Sequence, residues 1–285
     1  MNLRTVIAAA LSTALFAVSA PAWSQAAAGA DWRTVAPENL LVLDTAKGRI
    51  LVELEPRVAP LTVGRVRALA DQGFYDGLTF HRVIEGFMAQ TGDPLGTGAG
   101  GSDLPDIPGE FQFRRGRDMG FVSVISDTNG QLGVAGSMPV VTQPDAQMMV
   151  TADFKAAGEA LFCPGVAGMA RGQDANSANS QFFLMSGANE TLNGVYAPFG
   201  RVLAGMDVVR AIKPGPPGDN GRVVNPDRLT RARTAAAMPE GERPSVRVMA
   251  PSDPAFAALV EQTRAERGAA FTICDVQPPV QVTGG

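Results

Sequence analysis

Residues 74–94 read FYDGLTFHRVIEGFMAQTGDP and contain the only histidine of the 285-residue chain, His81, next to Arg82. The runs LTFHRVI and FMAQTG are typical of two short strands, because both are rich in β-branched, aromatic and other apolar residues and a glycine separates them. The other side chains around this pair are apolar: Phe80, Ile84, Phe87 and Met88. Since a guanidinium stays protonated and offers five donors in a fixed plane, this stretch predicts a permanent cation beside an apolar surface.

The rest of the chain adds further short strands. In NLLVLDTAKGRILVELEP, residues 39–56, Ile50, Val52 and Leu54 alternate with polar residues, which predicts a hairpin with one face in a core. The segments GVAGMAR, SQFFLMS and FGRVLA are also β-like, and Gly, Asn, Asp or Pro separate them. Many short strands with few helices favour a barrel or a sandwich.

Three segments are predicted to be helical. Pro60 is tolerated in a first helical turn and Gly73 supplies a stop, so we expect a helix over about 60–72. The run GMDVVRAI indicates a second, short helix before the breaker run KPGPPGDNG, which is typical of a domain edge. In the tail, Asp253 as N-cap and Gly268 as terminator predict a third helix, and the run AFTICDV after it predicts a strand.

Residues 113–165 show little clear periodicity. Loops without regular structure are uncommon beyond about 12–15 residues and are often functional, so we expect a functional insertion here. Met138, Met148 and Met149 either pack beneath this segment, which we favour, or form an adaptable apolar surface.

The N-terminus carries an export signal. Arg4 is followed by an apolar run over residues 6–18 and then by small residues. This order is typical of a secretory signal peptide, which we place at residues 1–26, with cleavage after Ala26 in preference to Ala22. The apolar run is too short to span a bilayer, and no other segment reaches about 18 apolar residues, so no membrane anchor is expected.

The composition excludes some classes of function. With 45% hydrophobic and 18% charged residues, the chain resembles ordinary globular proteins. Its formal net charge is -4, and it contains no basic run, so nucleic acid is not expected as a partner.

Several motifs can be set aside. GTGAGG at 96–101 matches a dinucleotide pattern, but prolines flank it on both sides, so no helix N-terminus is available for a pyrophosphate. One histidine and two distant cysteines do not make a zinc site, and no G-x-S-x-G elbow accompanies His81. Cys163 and Cys274 either form one disulfide, which export would permit, or remain two buried thiols.

A site built from Arg82, the amide of Gln90 and an apolar floor has no nucleophile and no tunable acid or base. Rotation about a peptide bond fits these limits, because its barrier is about 18–20 kcal/mol and no covalent bond breaks. At X-Pro bonds the two isomers are close in energy but interconvert over tens to hundreds of seconds. In the twisted transition state the prolyl nitrogen becomes pyramidal and accepts a hydrogen bond. A guanidinium aimed at that nitrogen would bind the transition state more strongly than the planar substrate.

Three segments carry a family resemblance: FYDGLTFHRVIEGFMAQTGDP, GVAGMARGQDANSANSQFFLM and LNGVYAPFGRV. Together they resemble the cyclophilin family of peptidyl-prolyl cis/trans isomerases, most closely its bacterial exported members, over residues 40–213. The resemblance implies a mainly β fold, a closed eight-stranded antiparallel β-barrel capped by two α-helices, to which this chain adds a C-terminal α/β extension. We therefore divide the chain into a signal peptide at 1–26, an isomerase domain at 35–215 with an insertion at about 114–155, and an extension at 216–285 packed on the barrel.

The resemblance also implies roles for individual residues. Arg82 would be the catalytic cation, with His81 lining the site beside it, although simple packing is an equally open interpretation of His81. The substrate-binding residues would be Phe87, Met88, Phe183 and Leu192 in the proline pocket, Tyr196 in its wall, Gln90 on the substrate carbonyl, Ala170, Arg171 and Gly172 through their backbone, and Gln181 in support. Plain barrel core is the alternative for Phe183 and Leu192.

The function implied is peptidyl-prolyl cis/trans isomerisation during the folding of exported proteins in a bacterial periplasm. The substrates would be proline-containing polypeptides, and the family needs no cofactor or metal. The alternative is a peptide-binding chaperone or assembly module that uses the same groove without significant catalysis. We expect a monomer without a membrane anchor.

Overall fold

The structure, a computed structural model, describes residues 31–127 and 130–285, so the predicted signal peptide at 1–26 lies outside the described residues. Three α-helices are present in the described part: α1 (Pro60–Asp71), α2 (Met206–Ala211) and α3 (Pro254–Arg267). The strands are β1 (Trp32–Thr34), β2 (Leu40–Thr45), β3 (Gly48–Leu54), β4 (Arg82–Ile84), β5 (Met88–Thr91), β6 (Phe113–Arg115), β7 (Phe121–Asp127), β8 (Gly130–Ala135), β9 (Met138–Thr142), β10 (Ala156–Ala160), β11 (Val166–Met169), β12 (Phe182–Met185), β13 (Pro198–Ala204), β14 (Leu229–Thr234), β15 (Ser245–Met249) and β16 (Val280–Thr283).

Eight strands form one antiparallel sheet in the order β14-β2-β3-β13-β11-β12-β5-β4. The predicted hairpin is its β2–β3 pair, in which Leu43 lies opposite Ile50. Buried side chains of this sheet belong to the main core, including Leu41, Leu43, Ile50, Val52 and Phe182, each at most 1% exposed. The mainly β fold and the sheet of eight strands are therefore confirmed.

The predicted closure of this sheet into a barrel is wrong. The sheet is open, with β14 and β4 at its two ends. Within the described residues these ends meet through isolated bridges, Thr79 with Arg228 and Arg82 with Arg222, rather than a continuous ladder. The segment beside β4 begins with KPGPPGDNG. Because its prolines lack an N–H and its glycines turn the chain, it cannot supply regular strand pairing, and the sheet remains a curled half-barrel.

Helices α1 and α2 form where the sequence predicts them. Pro60 occupies the first turn of α1, whose buried face carries Val63, Val66, Leu69 and Ala70. Helix α1 contacts β13 and β14, and α2 contacts β3, whereas capping of the barrel ends by these helices stays a prediction. In the described part of the chain, no helix has both the length and the apolar character needed to cross a membrane.

The segment expected to lack regular structure forms a second sheet, with five strands in the order β6-β10-β9-β8-β7. Its strands are hard to recognise from sequence because burial does not alternate: Met138, Pro139 and Val140 of β9 are buried in succession. Met138 and Met148 pack inside, at 0% and 1% exposure, whereas Met149 is 65% exposed. The insertion is thus a folded sheet rather than a loop.

The tip of the β8–β9 hairpin docks on the main sheet through a polar cluster. Ser137 Oγ donates to Glu53 Oε2 at 2.6 Å. Gly136 has φ +65°, and an added Cβ would lie 3.3 Å from Glu55 Oε2 and 3.3 Å from Arg57 Nη2. Those two charged groups are themselves paired at 2.6 Å. A side chain at position 136 would therefore press on an ion pair in which Glu55 is buried and Arg57 is exposed.

Arg201 of β13 joins three parts of the molecule. Its side chain is 1% exposed. Its Nη1 donates to the carbonyl of Ser137 in the insertion at 2.9 Å and to the carbonyl of Val276 in the tail at 3.3 Å. Burial lowers the pKa of Arg201 to about 10, so the group stays protonated at neutral pH. The insertion and the tail therefore meet on one buried cation.

The tail consists of α3 and a three-stranded sheet in the order β1-β15-β16. Asp253 caps α3 as predicted, since its carboxylate accepts from Ala255 N at 2.7 Å. The strand predicted at AFTICDV is wrong, because residues 273–275 form a short 3-10 helix. Thr272 and Asp275 form a capping box, which fixes a helical turn in place of an extended chain.

Besides Arg201, two links connect the predicted extension to the rest of the chain. Strand β14, which lies within residues 216–285, pairs with β2 and so belongs to the main sheet. Farther along, Cys163 and Cys274 are joined in a disulfide with Cα atoms 5.0 Å apart. The extension is therefore held both by sheet pairing and by a covalent bond.

Candidate active site

Two adjoining clefts lie over the β4–β5 hairpin and β12. The larger measures about 710 Å³ and the smaller about 530 Å³. They share Gln90, Gly98, Ala99, Ala170 and Arg171, so they form one continuous groove. The twelve residues singled out from the sequence all line it: His81, Arg82, Phe87, Met88, Gln90, Ala170, Arg171, Gly172, Gln181, Phe183, Leu192 and Tyr196. Their individual roles stay predictions.

Arg82 is held on one side by a chain of amides. It lies opposite Gln90 in the β4–β5 hairpin, and its Nη1 donates to Gln90 Oε1 at 3.1 Å. Gln90 Nε2 donates in turn to Gln181 Oε1 at 2.9 Å, and Gln181 Nε2 donates to the carbonyl of Gly100 at 2.8 Å. This relay fixes the guanidinium relative to β12 and the glycine-rich loop.

On its other side Arg82 is held by Asn220, a residue that the sequence analysis missed. Arg82 Nε donates to the Asn220 carbonyl at 2.9 Å, and Nη2 donates to Asn220 Oδ1 at 3.0 Å. Asn220 has φ +46°, a left-handed conformation that asparagine tolerates better than most residues. Burial lowers the pKa of Arg82, which nevertheless stays protonated. Two independent anchors thus set the plane of the cation.

His81 lies beneath the glycine-rich loop. It is 5% exposed, and neither ring nitrogen has hydrogen-bond geometry with a described residue. Burial lowers the pKa of His81, and the Asp93 carboxylate opposes this shift only in part. The imidazole is therefore neutral at physiological pH, which fits packing rather than proton transfer.

The apolar part of the groove is a cup of aromatic and aliphatic side chains. Phe183 is 5% exposed, and its ring lies 5.7 Å from that of Phe162 and 5.9 Å from that of Tyr196. Gly168 makes this packing possible, because a Cβ there would lie 2.7 Å from Phe183 Cζ. Leu192 closes the cup from a 3-10 helix that Asn189 caps. The cup has the size and polarity to accept a compact apolar ring.

The backbone of residues 170–172 borders the smaller cleft. Ala170 N donates to the Gln181 carbonyl at 2.9 Å, and Gly172 N donates to Ser177 Oγ at 2.8 Å, so both N–H groups are already used. The Arg171 guanidinium lies 4.7 Å from the Tyr196 ring centroid. The Gly172 carbonyl accepts from Arg171 Nη1 at 2.9 Å, so these contacts fix the border of the groove.

The glycine-rich loop at 96–101 forms the opposite rim. The buried Asp93 carboxylate accepts from Leu95 N and Thr97 N, each at 2.8 Å, and from Gly98 N. Burial alone would raise the pKa of Asp93, but these backbone hydrogen bonds outweigh it and lower the pKa. At Gly100 a Cβ would lie 2.0 Å from Asp93 Oδ1, so only glycine fits. The loop forms a wall of the groove, in agreement with the rejection of the dinucleotide motif.

Comparison with known proteins identifies the family. Residues 40–234 match the family described as cyclophilin type peptidyl-prolyl cis-trans isomerase/CLD. The chain belongs to this family. A probable peptidyl-prolyl cis-trans isomerase of Brucella suis biovar 1 is 35% identical over 241 residues, which cover 81% of this chain and 97% of that protein. A probable peptidyl-prolyl cis-trans isomerase of Brucella abortus strain 2308 is 34% identical over the same length.

A solved cyclophilin shares most of the architecture. The crystal structure of cyclophilin AquaCyp293 from Hirschia baltica matches with a TM-score of 0.79 and 32% identity, covering 89% of this chain and 94% of that chain. The structural match covers 89% of this chain, which is more than the family match over residues 40–234 covers. Regions outside the cyclophilin family match therefore also have counterparts in that protein.

Besides the glycine-rich loop, three residues that were not predicted also line the larger cleft: Asp219, Asn220 and Arg222. Asp219 and Asn220 lie within the breaker run and Arg222 directly follows it, where the sequence signals only a turn and nothing local indicates contact with Arg82. In the described part of the chain, no group of three His, Cys, Asp or Glu side chains could hold a metal ion. The groove therefore offers the guanidinium groups of Arg82, Arg171 and Arg222, side-chain amides and an apolar cup.

Proposed function

We propose that this chain accelerates cis/trans rotation of X-Pro bonds in proline-containing polypeptides, with Arg82 as the catalytic cation. The observation that carries this proposal is the position of Arg82, which lines the same cleft as the cup of Phe87, Met88, Phe183 and Leu192. Family membership supports the reaction type. The assignment of the reaction to Arg82 rests on the family resemblance and on the position of Arg82 beside the cup.

Three of the five guanidinium N–H groups are used by Gln90 and Asn220, and Nη1 also lies 4.0 Å from Met88 Sδ, which is only a weak acceptor, so N–H groups remain for a ligand. With the proline ring in the cup, a donor at the prolyl nitrogen stabilises the pyramidal transition state and not the planar ground state. Millisecond turnover requires a barrier of about 13 kcal/mol, roughly 6 below the uncatalysed value. Two or three charge-assisted hydrogen bonds of about 1.5–3 kcal/mol each supply that reduction.

The site is proposed to act outside the cytoplasm, in a bacterial periplasm, on the folding of exported proteins. The support is the N-terminal order of Arg4, an apolar run and small residues, which is typical of a secretory signal. We further propose a monomer without a membrane anchor. Cell fractionation and sedimentation of the mature chain test these points.

The test of the mechanism is exchange NMR on an Ala-Pro peptide with wild type, Arg82→Ala and Arg82→Lys. Loss of two charged hydrogen bonds, about 3 kcal/mol, should lower kcat/KM about a hundredfold in Arg82→Ala, while Arg82→Lys retains part of the activity. Arg117→Ala, an exposed arginine on the insertion, is the matched control. Unchanged activity of Arg82→Ala would reject the mechanism. Peptide binding by wild type without acceleration would indicate a holding module.

A further inference from the structure

The disulfide borders a cleft that is separate from the proposed active site. This cleft measures about 460 Å³ and lies beside Cys274, with Pro164, Arg201, Arg210, Gln277 and Pro278 among its lining residues. Cys163 is 0% exposed, whereas Cys274 is only partly buried. A reagent that enters the cleft therefore meets Cys274 and not Cys163.

The cleft favours an anionic reagent. Arg210 is exposed and lines the cleft, and it has no ion pair or hydrogen bond within the described chain. Arg201 lines it as a second, buried cation. The neighbouring Asp275 carboxylate is paired with Arg267 at 3.1 Å, which reduces its repulsion of an anion. Because cations near a sulfur stabilise thiolate over thiol, this environment assists a thiolate that attacks the disulfide.

The buried end of the disulfide is connected to the wall of the proline cup. Cys163 follows Phe162, whose ring lies 5.7 Å from that of Phe183. Phe162 N donates to Asn193 Oδ1 at 2.9 Å, and the Phe162 carbonyl accepts from Asn189 N at 2.9 Å. The short helix that carries Leu192 is therefore fastened to the residue next to Cys163. A change in the position of Cys163 is therefore passed to Phe162, and so to the cup, through a single peptide bond.

We propose that Cys274 is a thiol–disulfide exchange site and that reduction of the Cys163–Cys274 bond loosens the wall of the proline cup. An external thiolate attacks Cys274 Sγ, and Cys163 leaves with the bonding electron pair and takes up a proton. A second thiolate then attacks the external sulfur of the mixed disulfide and releases Cys274. Two electrons pass to the protein, and the external thiol is oxidised to its disulfide. The second half of this proposal rests on the proposed isomerase function.

The exchange site is tested by regioselectivity. The folded, oxidised chain is exposed to reduced glutathione, quenched with acid, alkylated under denaturing conditions and digested for peptide mass analysis. Glutathione should appear on Cys274 and the alkyl group on Cys163. Arg210→Gln should slow the exchange about three- to tenfold, while Arg117→Gln should not change it. Glutathione on Cys163, or exchange only in denaturant, would overturn the exchange site.

Coupling to the cup is tested by activity and by NMR on the same chain. Reduction should lower kcat/KM on an Ala-Pro peptide at least threefold and shift the amide resonances of residues 189–196, and reoxidation should reverse both effects. The double variant Cys163→Ala/Cys274→Ala should have the kcat/KM and the amide resonances of the reduced form, and reductant should change neither. Unchanged resonances and activity on reduction would overturn the coupling. Shifted resonances without isomerase activity in either form would reject the proposed function and keep the coupling.

Discussion

At the scale of single residues, the sequence identified the cation but not what holds it. Arg82 stands out because His81 and four apolar side chains surround it within ten positions. Asn220 lies 138 residues away along the chain, in a run of Pro and Gly that indicates only a turn. Local sequence patterns indicate local structure, so a contact between residues far apart in the sequence leaves no recognisable pattern.

Replacement of Asn220 by glycine tests its role in positioning Arg82. Glycine keeps the left-handed backbone and its carbonyl but removes the Oδ1 acceptor, a hydrogen bond worth about 0.5–1.5 kcal/mol. We expect Asn220→Gly to lower kcat three- to tenfold with KM little changed. The matched control is Asn225→Gly, since Asn225 also has a left-handed φ of +53° but makes no contact with Arg82. An equal effect of the two variants would contradict this role.

His81 predicts a specific dependence of stability on pH. Burial holds the pKa of His81 below its ordinary value of 6.5, so the unfolded chain binds more protons than the folded chain between the two pKa values. The free energy of unfolding should therefore be fully maintained above pH 6.5 and fall as the pH drops below that value. Because the sequence contains no other histidine, His81→Gln should flatten this slope.

Urea unfolding of wild type and His81→Gln at several pH values between 5 and 8 measures this difference. The isomerase activity should stay level from pH 6.5 to 8, since the proposed mechanism moves no proton. A slope of the same size in both proteins would assign the titration to another group.

At the scale of elements, helices and tight hairpins were predictable and the insertion was not. Pro60, Asp253 and Gly268 mark helix ends by backbone chemistry that is visible in the sequence. In the insertion, Gly133, Gly136 and Pro139 interrupt the apolar pattern, because this hairpin must pack closely on its neighbours. Strand signals weaken where the packing requires small residues.

Gly136→Ala tests the docking of the insertion on the main sheet. Any L-residue at its φ of +65° costs about 1–2 kcal/mol, and the added methyl group also presses on the Glu55–Arg57 pair. Gly120→Ala is the matched control, with φ +63° and no atom within 4 Å of the added Cβ. We expect Gly136→Ala to lower the free energy of unfolding more than Gly120→Ala does.

The comparison is made by urea unfolding, with hydrogen exchange of strands β8 and β9 as a local measure. Faster exchange in Gly136→Ala alone would locate the damage at the docked hairpin. Equal losses in both variants would mean that only backbone conformation matters at position 136.

At the scale of the whole molecule, the sheet stays open because the chain between α2 and β14 cannot form a ladder. The family resemblance implies closure, and strand count alone does not distinguish the two outcomes. What decides is the run KPGPPGDNG beside β4, which meets the sheet through single hydrogen bonds such as Val83 N to the Gly221 carbonyl at 2.7 Å. The attachment of the tail was only partly predictable: the disulfide was one of two alternatives for the two cysteines, whereas the contact of Arg201 with Val276 carries no local signal.

The disulfide predicts a large change in global stability. It joins residues separated by 111 positions. A crosslink that closes a loop of this length lowers the conformational entropy of the unfolded chain, which nominally stabilises the fold by about 4–5 kcal/mol. Unfolded chains stay more compact than ideal coils, so we expect a smaller loss, about 2–4 kcal/mol, in Cys163→Ala/Cys274→Ala. Urea unfolding followed by circular dichroism measures it, with reduced wild type as the control that should unfold at the same midpoint. If the variant instead kept the midpoint of the oxidised protein, the tail would be held by Arg201 and strand pairing alone, and the crosslink would contribute nothing to stability.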